Sequence, residues 1–283
     1  MMSYELFKTV FTDRIKDFMP EEYRDHRVEH CTVQKVNGMK DGFYLCPPKE
    51  DHRPMATLYF DDLYMDFTVD ESMDRVLAAA AEALTCTGPC SVLEELGEDL
   101  PGLKDRLVVC LVNEKMNRAL LDEHPHRMFM DMAAIYRVMV RDENRGFYSF
   151  VLTYDIMKSM GLTEEEVFDF ALANTKRIFP ADVLGGEESV YVMTNDAGIH
   201  GASTMLYEED MQKLADRIGE DFFILPSSIH EFFAIPVSRS TPENLTRLLE
   251  NGNCTVTRGA EILSGSIYRY SRETGAMEIC SCA

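Results

Sequence analysis

The chain contains no apolar, uncharged run long enough to cross a membrane: its longest, such as residues 76–81, fall far short of the roughly 20 residues that a span needs. Charges at Lys8, Asp13, Arg14, Lys16 and Asp17 interrupt the N-terminal segment, so it lacks the apolar core of an export signal. Eight cysteines in 283 residues, about 3%, are too few for a disulfide scaffold, and they read as reduced thiols in a cytoplasm. Basic side chains are also scarce, 28 against 49 acidic ones, and a net charge of −21 repels phosphate backbones instead of releasing their counterions. Neither direct nucleic-acid binding nor a membrane partner is expected.

Several familiar catalytic devices are missing too. There is no G-x-x-x-x-G-K-[ST] loop to cradle a triphosphate and no G-x-G-x-x-G turn to hold a dinucleotide. No G-x-S-x-G nucleophile elbow occurs. His230-Glu231 opens like a zinc-protease helix, but the position four after His230 is Ala234, so the second metal ligand is lacking. No cofactor is expected, and no metal site is assigned.

What is present is an ordinary globular composition, 46% hydrophobic and 27% charged. At roughly 150 residues per domain, the length suggests two lobes or one large domain. Gly97, Pro101 and Gly102 cluster with acids, which places a boundary near 100: an N-terminal α+β lobe over 1–100 and a second α+β region over 101–283, with a possible sub-boundary near 180–188. Residues 1–100 carry 10 basic and 21 acidic side chains, 101–180 carry 11 and 12, and 181–283 carry 7 and 16, so both ends are acidic and the middle is near neutral.

Periodicity supplies the elements. Phe7, Phe11, Ile15 and Phe18 recur at helical spacing before Pro20. Residues 28–36 and 42–45 flank Asn37-Gly38 as a hairpin, and an alanine-rich helix carrying Met73, Val76, Leu77, Ala80 and Leu84 is expected to lie on it. Residues 107–112 form a continuous apolar run of strand length, 114–121 read as helical, and 130–140 with 146–153 read as a hairpin across a polar loop. Thr163-Glu164-Glu165-Glu166 is a capping box for a helix with Val167, Phe170, Ala171 and Asn174 on one face. Strands over 189–195, 221–225 and 230–236, helices over 208–218 and from Pro242 to about Asn251, and a terminal hairpin complete the chain. Because strands so often pair as hairpins, the expected class is α+β with mixed or mainly antiparallel sheets and packed helices.

The densest polar group is Leu225-Pro226-Ser227-Ser228-Ile229-His230-Glu231. Ser227 or Ser228, His230 and Glu231 could act as nucleophile, base and orienter, with Asp196 as a further carboxylate. The same residues also make a proline-led turn whose hydroxyls satisfy backbone groups before a strand, and neighbours on a strand face opposite ways. Thr194 and Asn195 at a strand end are candidate binding residues, or else a turn with Ala197-Gly198. His126 and Arg127 are further binding candidates, with His124-Pro125-His126 able to offer two metal nitrogens or simply a polar turn. Cys86, Cys90, Cys280 and Cys282 could hold zinc only if the fold joined them. Asp61, Asp62 and Asp66 suit Mg²⁺ or a solvated acidic face.

Four segments carry a family resemblance: Pro125-His126-Arg127 with Phe129-Met130-Asp131-Met132-Ala133; Gly161-Leu162-Thr163-Glu164-Glu165-Glu166 leading to Ala171-Leu172-Ala173-Asn174-Thr175; Met193-Thr194-Asn195 with Gly201-Ala202; and Leu225 to Glu231. Together they span roughly residues 105 to 270, and in them the chain resembles a domain-of-unknown-function family from Firmicutes, many of them gut bacteria. It is more distantly similar to a second such family of Bacillus type. The resemblance implies a bacterial cytosolic fold and assigns no catalytic residue. The leading expectation is a non-enzymatic interaction or regulatory protein with a protein partner, motivated by the missing cofactor motifs and the acidic ends. Its rivals are a small hydrolase or transferase using the Ser/His/acid cluster, and an acidic decoy for a basic nucleic-acid-binding protein.

Overall fold

Ser3 opens the first helix, its hydroxyl accepting from the Leu6 N–H at 3.4 Å. This helix, α1 (Tyr4–Arg14), runs into a 3-10 turn over Ile15–Phe18 and buries Phe7, Phe11 and Ile15 completely. The structure is a computed structural model that describes residues 2–48, 57–85, 101–142, 146–186, 190–255, 257 and 259–282. By internal contacts the chain divides into two units, Met1–Glu98 and Asp99–Ala283.

In the first unit β1 (Arg27–Lys35) and β2 (Gly38–Cys46) pair antiparallel with Lys35 opposite Gly38, and β3 (Leu58–Tyr59) adds to β2. The hairpin loop is therefore Val36-Asn37, one residue earlier than Asn37-Gly38; Asn37 supplies the left-handed residue at φ 62°, which asparagine tolerates. Two helices follow, α2 (Phe60–Asp70) and α3 (Met73–Thr85). The alanine-rich pattern predicts that α3 lies on the hairpin. Instead α2 lies against β2, because Phe60, Leu63 and Phe67 give it an apolar stripe of its own, and α3 lies mainly against α2 and the 3-10 turn. The core is aromatic: Phe11, Phe43 and Phe60 sit with ring centroids 5.0 to 6.0 Å apart.

The second unit holds two sheets. In the four-stranded one, β4 (Leu107–Asn113) pairs with one side of β6 (Met132–Asp142), while β5 (His126–Phe129) and β7 (Gly146–Val151) lie end to end along the other side. Leu107 to Val112 are all buried, as a continuous apolar run requires. A short helix α4 (Arg118–Glu123) links β4 to β5, and α5 (Tyr154–Ser159) follows β7. Next comes α6 (Glu164–Ile178), whose capping box closes with Thr163 Oγ1 accepting from Glu166 N and Glu166 Oε2 accepting from Thr163 N at 2.9 Å. Its buried stripe is Val167, Ala171 and Thr175, spaced by four. Phe170 is exposed, contrary to the expected face, and Asn174 instead donates to the Lys104 carbonyl.

Thr175 and its counterpart Ser203 have a structural task at the outer edge of β4. Thr175 Oγ1 accepts from Val109 N at 2.8 Å and Ser203 Oγ accepts from Leu111 N at 3.0 Å, so two edge amides are satisfied by hydroxyls from neighbouring elements.

The larger sheet runs β13-β12-β10-β11-β9-β8, antiparallel throughout, from β8 (Ala181–Gly185), β9 (Tyr191–Asn195), β10 (Phe222–Pro226), β11 (Phe232–Pro236), β12 (Ser266–Tyr270) and β13 (Met277–Cys282). Between β9 and β10 stands α7 (Glu208–Ile218), which stops on Gly219 at φ 90°. Helix α8 (Pro242–Thr255) packs Leu245 and Leu249 on Phe223, Leu225, Ile235 and Ile267. It continues past Asn251-Gly252, where the sequence suggested a stop. The protein is α+β with mainly antiparallel sheets, as its hairpin-rich pattern indicated.

Candidate functional site

The two polar segments singled out in the sequence meet. Strand β9 pairs with β11, with Met193 opposite Phe232, and just beyond that pair Thr194 Oγ1 donates to the His230 carbonyl at 2.8 Å. Gly201 lies against both. A Cβ there would fall 2.2 Å from Thr194 Oγ1, 2.3 Å from His230 O and 2.9 Å from Asn195 N, so only glycine fits this crossing.

What the segments do with their polar atoms is mostly structural. Asn195 Nδ2 donates to Ile199 O, and its Oδ1 accepts from Ala197 N and Ile199 N, which folds residues 195–199 around one amide. Ser228 Oγ accepts from His230 N at 3.0 Å, Ser227 Oγ reaches Glu231 Oε1 at 3.4 Å, and Asp196 is exposed. His230 Nδ1 accepts from His200 N at 3.2 Å, which leaves its ring proton on Nε2. Each serine's hydrogen bond therefore goes to the main chain or to a carboxylate, and none to an imidazole nitrogen.

The loop from Asn195 ends on His200, held at φ 52° with its imidazole 5.8 Å from that of His230. His200 Nδ1 is buried and has no hydrogen-bond partner among the described residues. Burial, then the nearby charges of Arg137 and His230, push its pKa down to about 3, so the ring is neutral at physiological pH.

Beside this loop is a cavity of about 190 Å³. Its floor follows from strand alternation: Val108 faces Arg137 across β4 and β6, and Ser149 faces Met139 across β7 and β6, so Val108, Cys110, Arg137, Met139 and Ser149 share one face of the sheet. Asn195, Ala197, Ile199 and His200 form the opposite wall, and Thr175 and Phe179 close one side. Arg137 Nε donates to Ser149 Oγ at 2.9 Å and its Nη2 to Ser149 O at 3.0 Å. Burial pushes the Cys110 thiol up to about 11 against a small opposing effect of Arg137, so this cysteine stays protonated and is a poor nucleophile.

A second concavity, about 360 Å³, lies on the other face of the same sheet, where Ala134 and Arg127 stand opposite each other. Methionines at 128, 130, 205, 211 and 277 line it. Arg127 lies over the Phe168 ring at 4.4 Å. His126, on β5 and not in a loop, has Nδ1 on the His124 carbonyl, and His124 has Nδ1 on Leu120 O, so these rings are tied to backbone. Asp61 takes a hydrogen bond from Tyr4 and Asp62 pairs with Lys40 at 2.8 Å; the three aspartates do not converge. Among the described residues no three His, Cys, Asp or Glu gather as metal ligands, and Cys86 and Cys90 lie outside those residues.

Sequence reasoning passed over Arg137, His200 and Cys110. One signal was available for the first: Arg137 is the only charged residue in the nine-residue run Met132 to Val140, and a lone cation in a buried strand is unusual. No local pattern marks His200, because its place depends on the Gly201 crossing.

No curated protein and no solved structure matches the chain. The model of one family matches residues 4–188 and 182–272, nearly the whole sequence. The chain belongs to that family, the family of unknown function DUF5688.

Proposed function

We propose that this is a non-enzymatic regulatory protein of the bacterial cytoplasm that binds a small molecule in the cavity between β4, β6, β7 and the 195–200 loop. One observation carries the reading. The cavity is lined by the His200 ring and by the Arg137 guanidinium, which donates only to Ser149 and pairs with no carboxylate among the described residues. Polar groups shielded from water are nearly always satisfied, and a bound ligand is one way to satisfy the free N–H groups of Arg137. The hydrolase alternative draws less support, since nucleophilic work needs a serine and a base in contact near 3 Å, and the hydroxyls of Ser227 and Ser228 are engaged elsewhere. The decoy alternative rests on net charge alone.

The test is a titration of methyl-labelled protein with fragments of about six to nine heavy atoms, a size suited to a cavity somewhat larger than one known to hold benzene. Saturable shifts of the Met139 methyl by at least one fragment are expected. A Met139 signal that stays fixed through the whole set overturns the reading.

A further inference from the structure

The charge lining the cavity narrows the ligand class. The chain carries 49 acidic side chains and a net charge of −21, yet among the described residues no aspartate or glutamate lines this cavity, and Arg137 is the one fixed charge there. Two of the five guanidinium N–H groups are taken by Ser149, which fixes the plane of the group. The other three have no partner among the described residues. A partly buried guanidinium without a counter-ion is unfavourable, and a planar fork of free N–H groups matches a carboxylate best. The rest of the wall is largely apolar, through Val108, Met139, Phe179 and Ile199.

We propose that the cavity binds a small organic monocarboxylate, its carboxylate on Arg137 and the His200 imidazole and its compact apolar body against Met139, Phe179 and Ile199. This rests on the ligand-binding reading above and names the ligand class. The neutral state of His200 fits it: the ring can donate one N–H without adding a second positive charge, so one negative charge meets one positive charge. The volume fits as well. About 190 Å³ exceeds the roughly 150 Å³ that holds benzene and leaves space for a carboxylate on a six-membered ring or a branched chain.

The experiment compares benzoate, its neutral isostere benzamide, and inorganic phosphate on the full-length protein, read by calorimetry and by the Met139 methyl resonance. Benzoate is expected to bind saturably, with benzamide about tenfold weaker or more and phosphate leaving Met139 unshifted. Arg137→Gln should weaken benzoate by about tenfold while holding benzamide within about threefold, and Arg127→Gln, on the opposite face, should change neither. If Arg137→Gln does not fold, Ser149→Ala serves instead: it keeps the charge but releases the guanidinium, and benzoate should weaken severalfold. Equal affinity for benzoate and benzamide overturns the anion assignment while leaving a ligand-binding cavity. Phosphate binding as tightly as benzoate overturns the apolar body. Failure of benzoate to bind at all overturns the proposal, and the fragment titration then decides the broader reading on its own.

Discussion

Two arginines ten residues apart stand on opposite faces of the four-stranded sheet, and the fold treats them differently. Arg127, on β5, is exposed and stacks on Phe168, so water and the ring share its charge. Arg137, on β6, lies under the 195–200 loop, where Ser149 fixes its plane and solvent screens it less. The residue type is the same, and the covering loop makes the difference. That loop exists because Asn195 folds it around one amide and Gly201 lets it cross Thr194 and His230.

Breaking the cover should have the largest effect. Gly201→Val drives a branched side chain into the His230 carbonyl and the Asn195 amide, and a loss of about 3 kcal/mol or more in urea unfolding is expected. Gly252→Ala, in α8 with no atom within 4 Å of the added methyl, should be neutral or stabilise by up to ~1 kcal/mol. Next in size is Thr175→Val, which keeps the shape but strips the hydroxyl from the buried Val109 amide; about 1–3 kcal/mol should be lost, visible as a lower urea midpoint with an unchanged slope. Removing the Arg127 ring contact with Arg127→Gln should cost ~0.5–1 kcal/mol at most, in keeping with an exposed cation.

A further effect is a pH slope. His200 titrates near 3 in the folded protein and near the ordinary value of 6.5 when unfolded, so between these values the unfolded chain binds a proton that the native state refuses. Stability from this group is present above about pH 6.5 and is lost as pH falls toward 3. His200→Asn, a residue that accepts the left-handed backbone at φ 52°, removes the titration. The gap between wild type and variant in urea midpoint should therefore narrow from pH 7.5 to pH 5, and a gap that stays constant would count against a neutral, buried imidazole.

Local chemistry was legible in the sequence wherever one segment decides its own structure. The capping box at Thr163, the stop at Gly219 and the buried run 107–112 each appear where propensity and spacing put them, and the hairpin turn lies within one residue of Asn37-Gly38. Elements decided by their neighbours were not. His126–Phe129 is a strand because β6 pairs with it, although His124-Pro125-His126 reads as a turn, and Ala181–Gly185 is a strand because β9 is beside it. The same division holds for the site. Thr194, Asn195 and His230 stood out as polar residues at element ends, and they do meet, but mainly to build a crossing. Arg137, Cys110 and His200, which line the cavity, are brought together only by strand register and the loop above them.

The hydroxyls on the β4 edge also bear on how the chain reaches this state. Leu107 to Val112 is an uninterrupted apolar stretch with high β-propensity, the kind that recruits like strands from other chains while its edge stays open. Thr175 and Ser203 come from elements made 66 and 92 residues after the amides they bind, so during synthesis this edge waits unprotected until both have emerged. The yield of refolding should therefore fall steeply with protein concentration, and a Thr175→Val, Ser203→Ala double variant should aggregate at concentrations where the wild type still refolds.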